Sequence, residues 1–106
     1  MRRVTRATGT GAIDFSLAPA IAFQVEEVRV HLEDVGGAGD LVISLDALAG
    51  VEYDAIFLTE DMTLLADLVW LSVRPHNFTA GDGLSITWAG AGQNAYGLEV
   101  VWSGIP

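Results

Sequence analysis

Three carboxylate doublets, Glu26-Glu27, Glu33-Asp34 and Glu60-Asp61, are the first groups in this chain that could do chemistry. A glycosidase needs two carboxyl groups facing each other across a cleft, one with a raised pKa. Neighbours on a strand point to opposite faces, so a doublet cannot supply that pair by itself. The doublets read instead as a solvated acidic surface. Asp82, between Gly81 and Gly83, lacks the companions of an EF-hand loop and reads as an aspartate bonded to its own turn. The serines include no Gly-x-Ser-x-Gly elbow. Gly9-Thr10-Gly11 and Gly36 to Gly39 match no phosphate loop, and without lysine there is no Walker site. The absence of cysteine removes disulfides, thiolate catalysis and cysteine-ligated zinc. Nothing in the spacing joins His31 to His76 as metal ligands. The sequence therefore predicts no catalytic residue, no cofactor and no metal: the chain is expected not to be an enzyme.

What remains is binding. Arg2, Arg3 and Arg6 crowd the first six residues, and only Arg29 and Arg74 follow, against fourteen acids. Arginine forks pair well with carboxylates. The expected role is an arm reaching an acidic neighbouring subunit. Trp88 is in phase with Leu84 and Ile86, and Trp102 with Leu98 and Val100, so both are expected in the core. Trp70 shares its parity with Ser72 and Arg74, while Val69, Leu71 and Val73 form the apolar set, so Trp70 is expected to be exposed for partner contact. His31, sharing a face with Arg29 and Glu33, is expected at the surface or an interface. The candidate partner-binding residues are Arg2, Arg3, Arg6, His31, Trp70 and Arg74. Asn77-Phe78-Thr79 fits a glycosylation sequon, which has meaning only in a eukaryotic secretory setting.

The elements that must carry these residues are strands. Residues 1–12 show no periodicity and read as a flexible basic arm. Residues 13–106 read as one domain. Ile13, Phe15 and Leu17 alternate. Phe23 and Val25 share one parity and Val28, Val30 and Leu32 the other, which places a β-bulge near Glu26-Glu27. Leu41 to Asp46, Tyr53 to Thr59 and Leu68 to Val73 follow, with Val35 to Asp40 as a turn. Glu60 to Asp67 fits a short helical turn or a loop. Leu84 to Trp88 and Tyr96 to Trp102, joined by the turn formers Ala89 to Asn94, read as a β-hairpin. Seven or eight short strands at this spacing predict an antiparallel β-sandwich or barrel, the sandwich being the expectation carried forward, and no interval suits crossover helices.

Composition sets the outer limits. A chain of 106 residues supports a single modest core. The net charge of −9 argues against nucleic acid as a partner. No apolar run approaches the roughly 18 residues of a membrane span, so no membrane association is expected. Asp14 interrupts what would be the apolar part of a secretory leader, and none is expected. Burial in so small a core leaves a thin margin over conformational entropy, so oligomerisation is expected.

Phe23-Gln24-Val25-Glu26-Glu27-Val28-Arg29-Val30-His31-Leu32, Gly36-Gly37-Ala38-Gly39-Asp40-Leu41 and Tyr53 to Thr63 resemble small structural proteins of tailed bacteriophages. So do Gly81 to Leu84 and Tyr96 to Trp102, and the likeness spans roughly residues 15 to 103. It implies a jelly-roll cement or decoration protein on the outer surface of the virion, made in the host cytoplasm. Such a protein binds the major capsid protein and itself, as a dimer or trimer. A head- or tail-fibre component and a carbohydrate-binding module are the alternatives.

Overall fold

A computed structural model describes residues 2–90 and 94–105. Nine strands form: β1 (Arg2–Thr10), β2 (Ile13–Leu17), β3 (Phe23–Leu32), β4 (Asp40–Asp46), β5 (Ala55–Asp61), β6 (Asp67–Leu71), β7 (Asn77–Phe78), β8 (Gly83–Trp88) and β9 (Ala95–Gly104). One 3-10 turn, Val51–Tyr53, interrupts the β4–β5 connection. Two antiparallel sheets result, in the orders β1-β9-β3-β6 and β2-β8-β4-β5, with the two-residue β7 also pairing β3.

With β7 set aside, the pairing is nested. The innermost strands β4 and β5 pair, then β3 with β6, β2 with β8, and the outermost β1 with β9. A long antiparallel ribbon rolled so that β9 also meets β3, and β8 also meets β4, gives this pattern. It is the jelly roll, and the all-β antiparallel sandwich is as the strand spacing predicts.

Alternation decides what lies between the sheets. Phe23, Val25, Val28, Val30 and Leu32 of β3 face Leu41, Ile43 and Leu45 of β4 and Leu84, Ile86 and Trp88 of β8 in one buried cluster. The parity change in β3 has the expected cause: its register against β9 slips between Val25 and Glu27, making Glu26 the extra residue. Without that bulge Val28, Val30 and Leu32 would point to solvent. Phe78 enters from β7 and stacks on Phe23, with ring centroids 4.5 Å apart.

Three expectations are corrected, and one left open is decided. Residues 2–10 are a strand and no flexible arm: β1 pairs with β9 along its whole length, from Arg2 opposite Ser103 to Thr10 opposite Ala95. Its inward positions, Thr5, Ala7 and Gly9, are small and carry no apolar alternation. They face partners such as Tyr96, whose ring would collide with a Cβ at Gly9. Backbone pairing holds this strand, and a hydrophobicity pattern does not reveal it.

Strands β8 and β9 both exist, but they are no hairpin. The first lies in one sheet and the second in the other, and part of the expected turn, residues 91–93, lies outside the described residues. Alternation and turn formers fix two strands and a reversal, while sheets packed about 10 Å apart are as reachable as a neighbouring strand about 5 Å away. The third correction concerns Trp70. Leu68 and Trp70 pack against the core, and Val69 and Leu71 point outward. The room available for a large ring beside Phe57 decided the parity (centroids 5.7 Å apart). Of the two readings of Glu60 to Asp67, the loop holds for the residues between β5 and β6. β5 continues to Asp61, Met62 is fully buried, and Leu64 takes a left-handed φ of 63°.

Candidate interaction surface

The outer face of the β1-β9-β3-β6 sheet gathers the groups that could meet a partner. Antiparallel register places them in cross-strand rows. Thr8, Gly97, His31 and Asp67 form one row, and Arg6, Glu99, Arg29 and Val69 the next. Val4, Val101, Glu27 and Leu71 form a third. Gly97 leaves a gap, since nothing lies within 4 Å of where its Cβ would sit. The result is a shallow depression of about 360 Å³ bordered by Arg6, Arg29, His31, Asp67, Val69 and Glu99.

Ion pairs lace this face internally. Arg2 Nε donates to Glu26 Oε2 at 2.9 Å and Arg6 Nε to Glu99 Oε2 at 2.7 Å, while Arg29 pairs with Glu27. His31 Nδ1 lies 2.6 Å from Asp67 Oδ1. The arginines expected to reach a neighbour thus engage their own chain. Arg3 lies on the inward side, its guanidinium 5.2 Å from the centre of the Trp102 ring, as in a cation–π contact. Arg74 stands apart in the β6–β7 connection, exposed and without an ion pair among the described residues. Trp70 is half-buried beneath the sheet, so its ring is no outward platform.

Of the six candidates, the face therefore collects Arg2, Arg6 and His31; Arg3, Trp70 and Arg74 lie elsewhere. Val4, Val69 and Leu71 complete it, and sequence reasoning passed over them. One signal was present: Leu68-Val69-Trp70-Leu71 is uninterrupted by any polar residue, the mark of a strand covered on both faces.

The strands of this sheet carry four arginines (Arg2, Arg3, Arg6, Arg29) and four carboxylates (Glu26, Glu27, Asp67, Glu99). They balance. The other ten acids face Arg74 alone, so the whole −9 resides outside this sheet. The opposite sheet has no cation in any strand; Asp14, Asp40, Asp46, Glu60 and Asp61 lie in its strands among Ser16, Ser44, Ser85 and Thr87.

The remaining polar groups serve the fold. Asp82, only 6% exposed, accepts from the Leu48 N–H at 3.0 Å through Oδ1, and from the Thr79 N–H at 3.0 Å and hydroxyl at 2.9 Å through Oδ2. The Leu48 N–H above all, then the two Thr79 donors, hold its carboxyl below the ordinary carboxylate range against the opposing effect of burial. This is the turn chemistry expected of it, and it ties the β7–β8 turn to the β4–β5 connection. Asp61 is likewise lowered, by the backbone N–H and then the hydroxyl of Thr63. His76 packs against Phe57 and Phe78, while His31 sits on the outer sheet face. Among the described residues no three of His, Cys, Asp or Glu are placed to hold a metal ion. No helix is long and apolar enough to cross a membrane.

No family model and no curated protein matches this sequence. Among solved structures, the chain is similar to one in the acidic stable capsid structure of Helicobacter pylori bacteriophage KHP30. The TM-score is 0.50 and the identity 14%, covering 96% of this chain and 92% of that one. At that identity the likeness establishes a shared fold. A chain in the structure of infectious bursal disease virus Gx strain is similar at 16% identity over 98% of this chain and 32% of that one, with a TM-score of 0.35. That second likeness is too loose to bear on the fold.

Proposed function

We propose that the chain is a non-enzymatic structural protein of a phage virion: a cement or decoration protein that binds the outer surface of the head, meeting both the major capsid protein and copies of itself. The observation that carries this reading is the jelly roll itself, shared nearly end to end with a chain of similar length from a phage capsid structure. A shallow, largely apolar depression rimmed by side chains that pair with one another, and carboxylates held by turns, fit a protein that works by burying surface. Its acidic sheet suits basic patches on the shell, where complementary charge sets orientation and rate of docking.

The test uses heads of the encoding phage assembled without this chain. Purified protein added to such preformed shells binds from outside and raises the temperature at which they rupture. Shells that neither bind it nor gain resistance contradict the cement reading. The carbohydrate-binding alternative loses its best residue, because Trp70 faces inward. A glycan array bound by the native protein would revive it.

A further inference from the structure

We infer that the outer face of the β1-β9-β3-β6 sheet is where a second copy of this chain docks, face to face about a two-fold axis. The inference deepens the structural role proposed above and names the surface of self-association. Strand β6 carries it. Leu68 and Trp70 fill the core from one side, yet Val69 and Leu71 on the other side are 59% and 60% exposed, and Val73 just past the strand end is 93% exposed. Val4, on the far edge strand β1, is also exposed, and Val101 lies between in the same row as Leu71. A strand apolar on both sides is the pattern of one covered on both sides.

Charge identifies the occupant. Two copies bring −9 each, and everywhere outside this sheet the charge is almost wholly negative. This face is the nearest to balance, with Arg2, Arg6 and Arg29 each matched by a carboxylate of their own chain and Asp67 beside His31. A second copy meets little opposing like charge here, whereas a basic partner gains little from a face whose arginines already hold its carboxylates. The area suffices. Three strands of nine or ten residues and the five-residue β6, spaced about 4.8 Å apart, present roughly 550 Å² of flat footprint per copy. Over both copies that is about 1,100 Å², just above the roughly 1,000 Å² a specific interface must clear. In a two-fold arrangement the same patch serves both copies, so Val69 and Leu71 are buried twice over.

Analytical ultracentrifugation of the purified protein across concentration and salt tests this. The native chain is expected to dimerise, and dimerisation to persist or strengthen as salt rises, because salt screens the repulsion between two acidic bodies and leaves apolar burial intact. Val69→Glu with Leu71→Glu is expected to weaken the dimer by at least about 30-fold, the effect of losing interface hot spots, with an unchanged circular dichroism spectrum because both positions are exposed. Ser44→Glu, on the opposite sheet, should leave it unchanged. Because the chain has no cysteine, single Leu71→Cys and Ser44→Cys variants give clean cross-linking, expected for the first and absent for the second. A native monomer at every concentration overturns the inference, as does a dimer unaffected by the double substitution or one that dissociates with salt. A monomer that still binds heads would overturn this inference alone; a dimer that never binds heads would overturn the cement reading alone.

Discussion

Asp82 shows how a residue that sequence alone could offer as a calcium ligand serves the fold instead. Flanked by glycines and buried, it gathers three donors from two separate loops. Hydrogen bonds to a charged acceptor contribute roughly 1.5–3 kcal/mol each at most, with partial compensation by water on removal. Asp82→Ala should therefore lower stability by about 2–4 kcal/mol, measured by chemical denaturation. Because the folded carboxyl titrates below its unfolded value, its contribution is fully present above the ordinary carboxylate range and is lost as pH falls through the lower folded value. Acid titration of the melting temperature should show that loss in the native protein and a shallower one in Asp82→Asn. Arg6 illustrates the opposite case: its pair with Glu99 lies in solvent, so Arg6→Ala should change stability by less than about 1 kcal/mol. The turn role of Asp82 was legible from Gly81-Asp82-Gly83. The in-chain partners of Arg2 and Arg6 were not, because they lie 24 and 93 residues away.

At the scale of elements, alternation revealed β2, β3, β4 and β8 and even the bulge at Glu26, since each follows from which side chains must be buried. Strand β1 was illegible because its inward residues are Thr, Ala and Gly, and its stability comes from pairing with a strand more than 80 residues away in sequence. Pairing partners in general were illegible, as β8 and β9 demonstrate. β1 also covers one edge of β9, and Thr5 Oγ1 accepts the Trp102 indole N–H at 3.0 Å. Deleting residues 1–12 should therefore impair folding itself, seen as a broadened, lower melting transition. The connection between β8 and β9 depends on Gly90, whose φ is 78° and where a Cβ would come within 2.6 Å of the Gly11 and Ala12 backbone. Gly90→Ala should destabilise by about 2 kcal/mol or more, since both the left-handed φ and the backbone contact oppose it. Trp70→Ala should lower stability by about 3–5 kcal/mol, the range for large-to-small core changes, with half-burial favouring the low end.

At the scale of the whole molecule, the sandwich has two unlike outer faces, one balanced in charge and apolar in part, the other lacking any cation in its strands. Composition revealed the excess of acid, and only the fold revealed its segregation. The proposed docking of a second copy uses the first face, and the proposed docking on a basic shell uses the second. The proposed place of this chain in a virion is tested by quantitative mass spectrometry of purified particles from the encoding phage, with cryo-electron microscopy of the same particles. The expected result is stoichiometric copy number and jelly-roll density on the outside of the head. Purified infectious particles that contain none of this chain would contradict it.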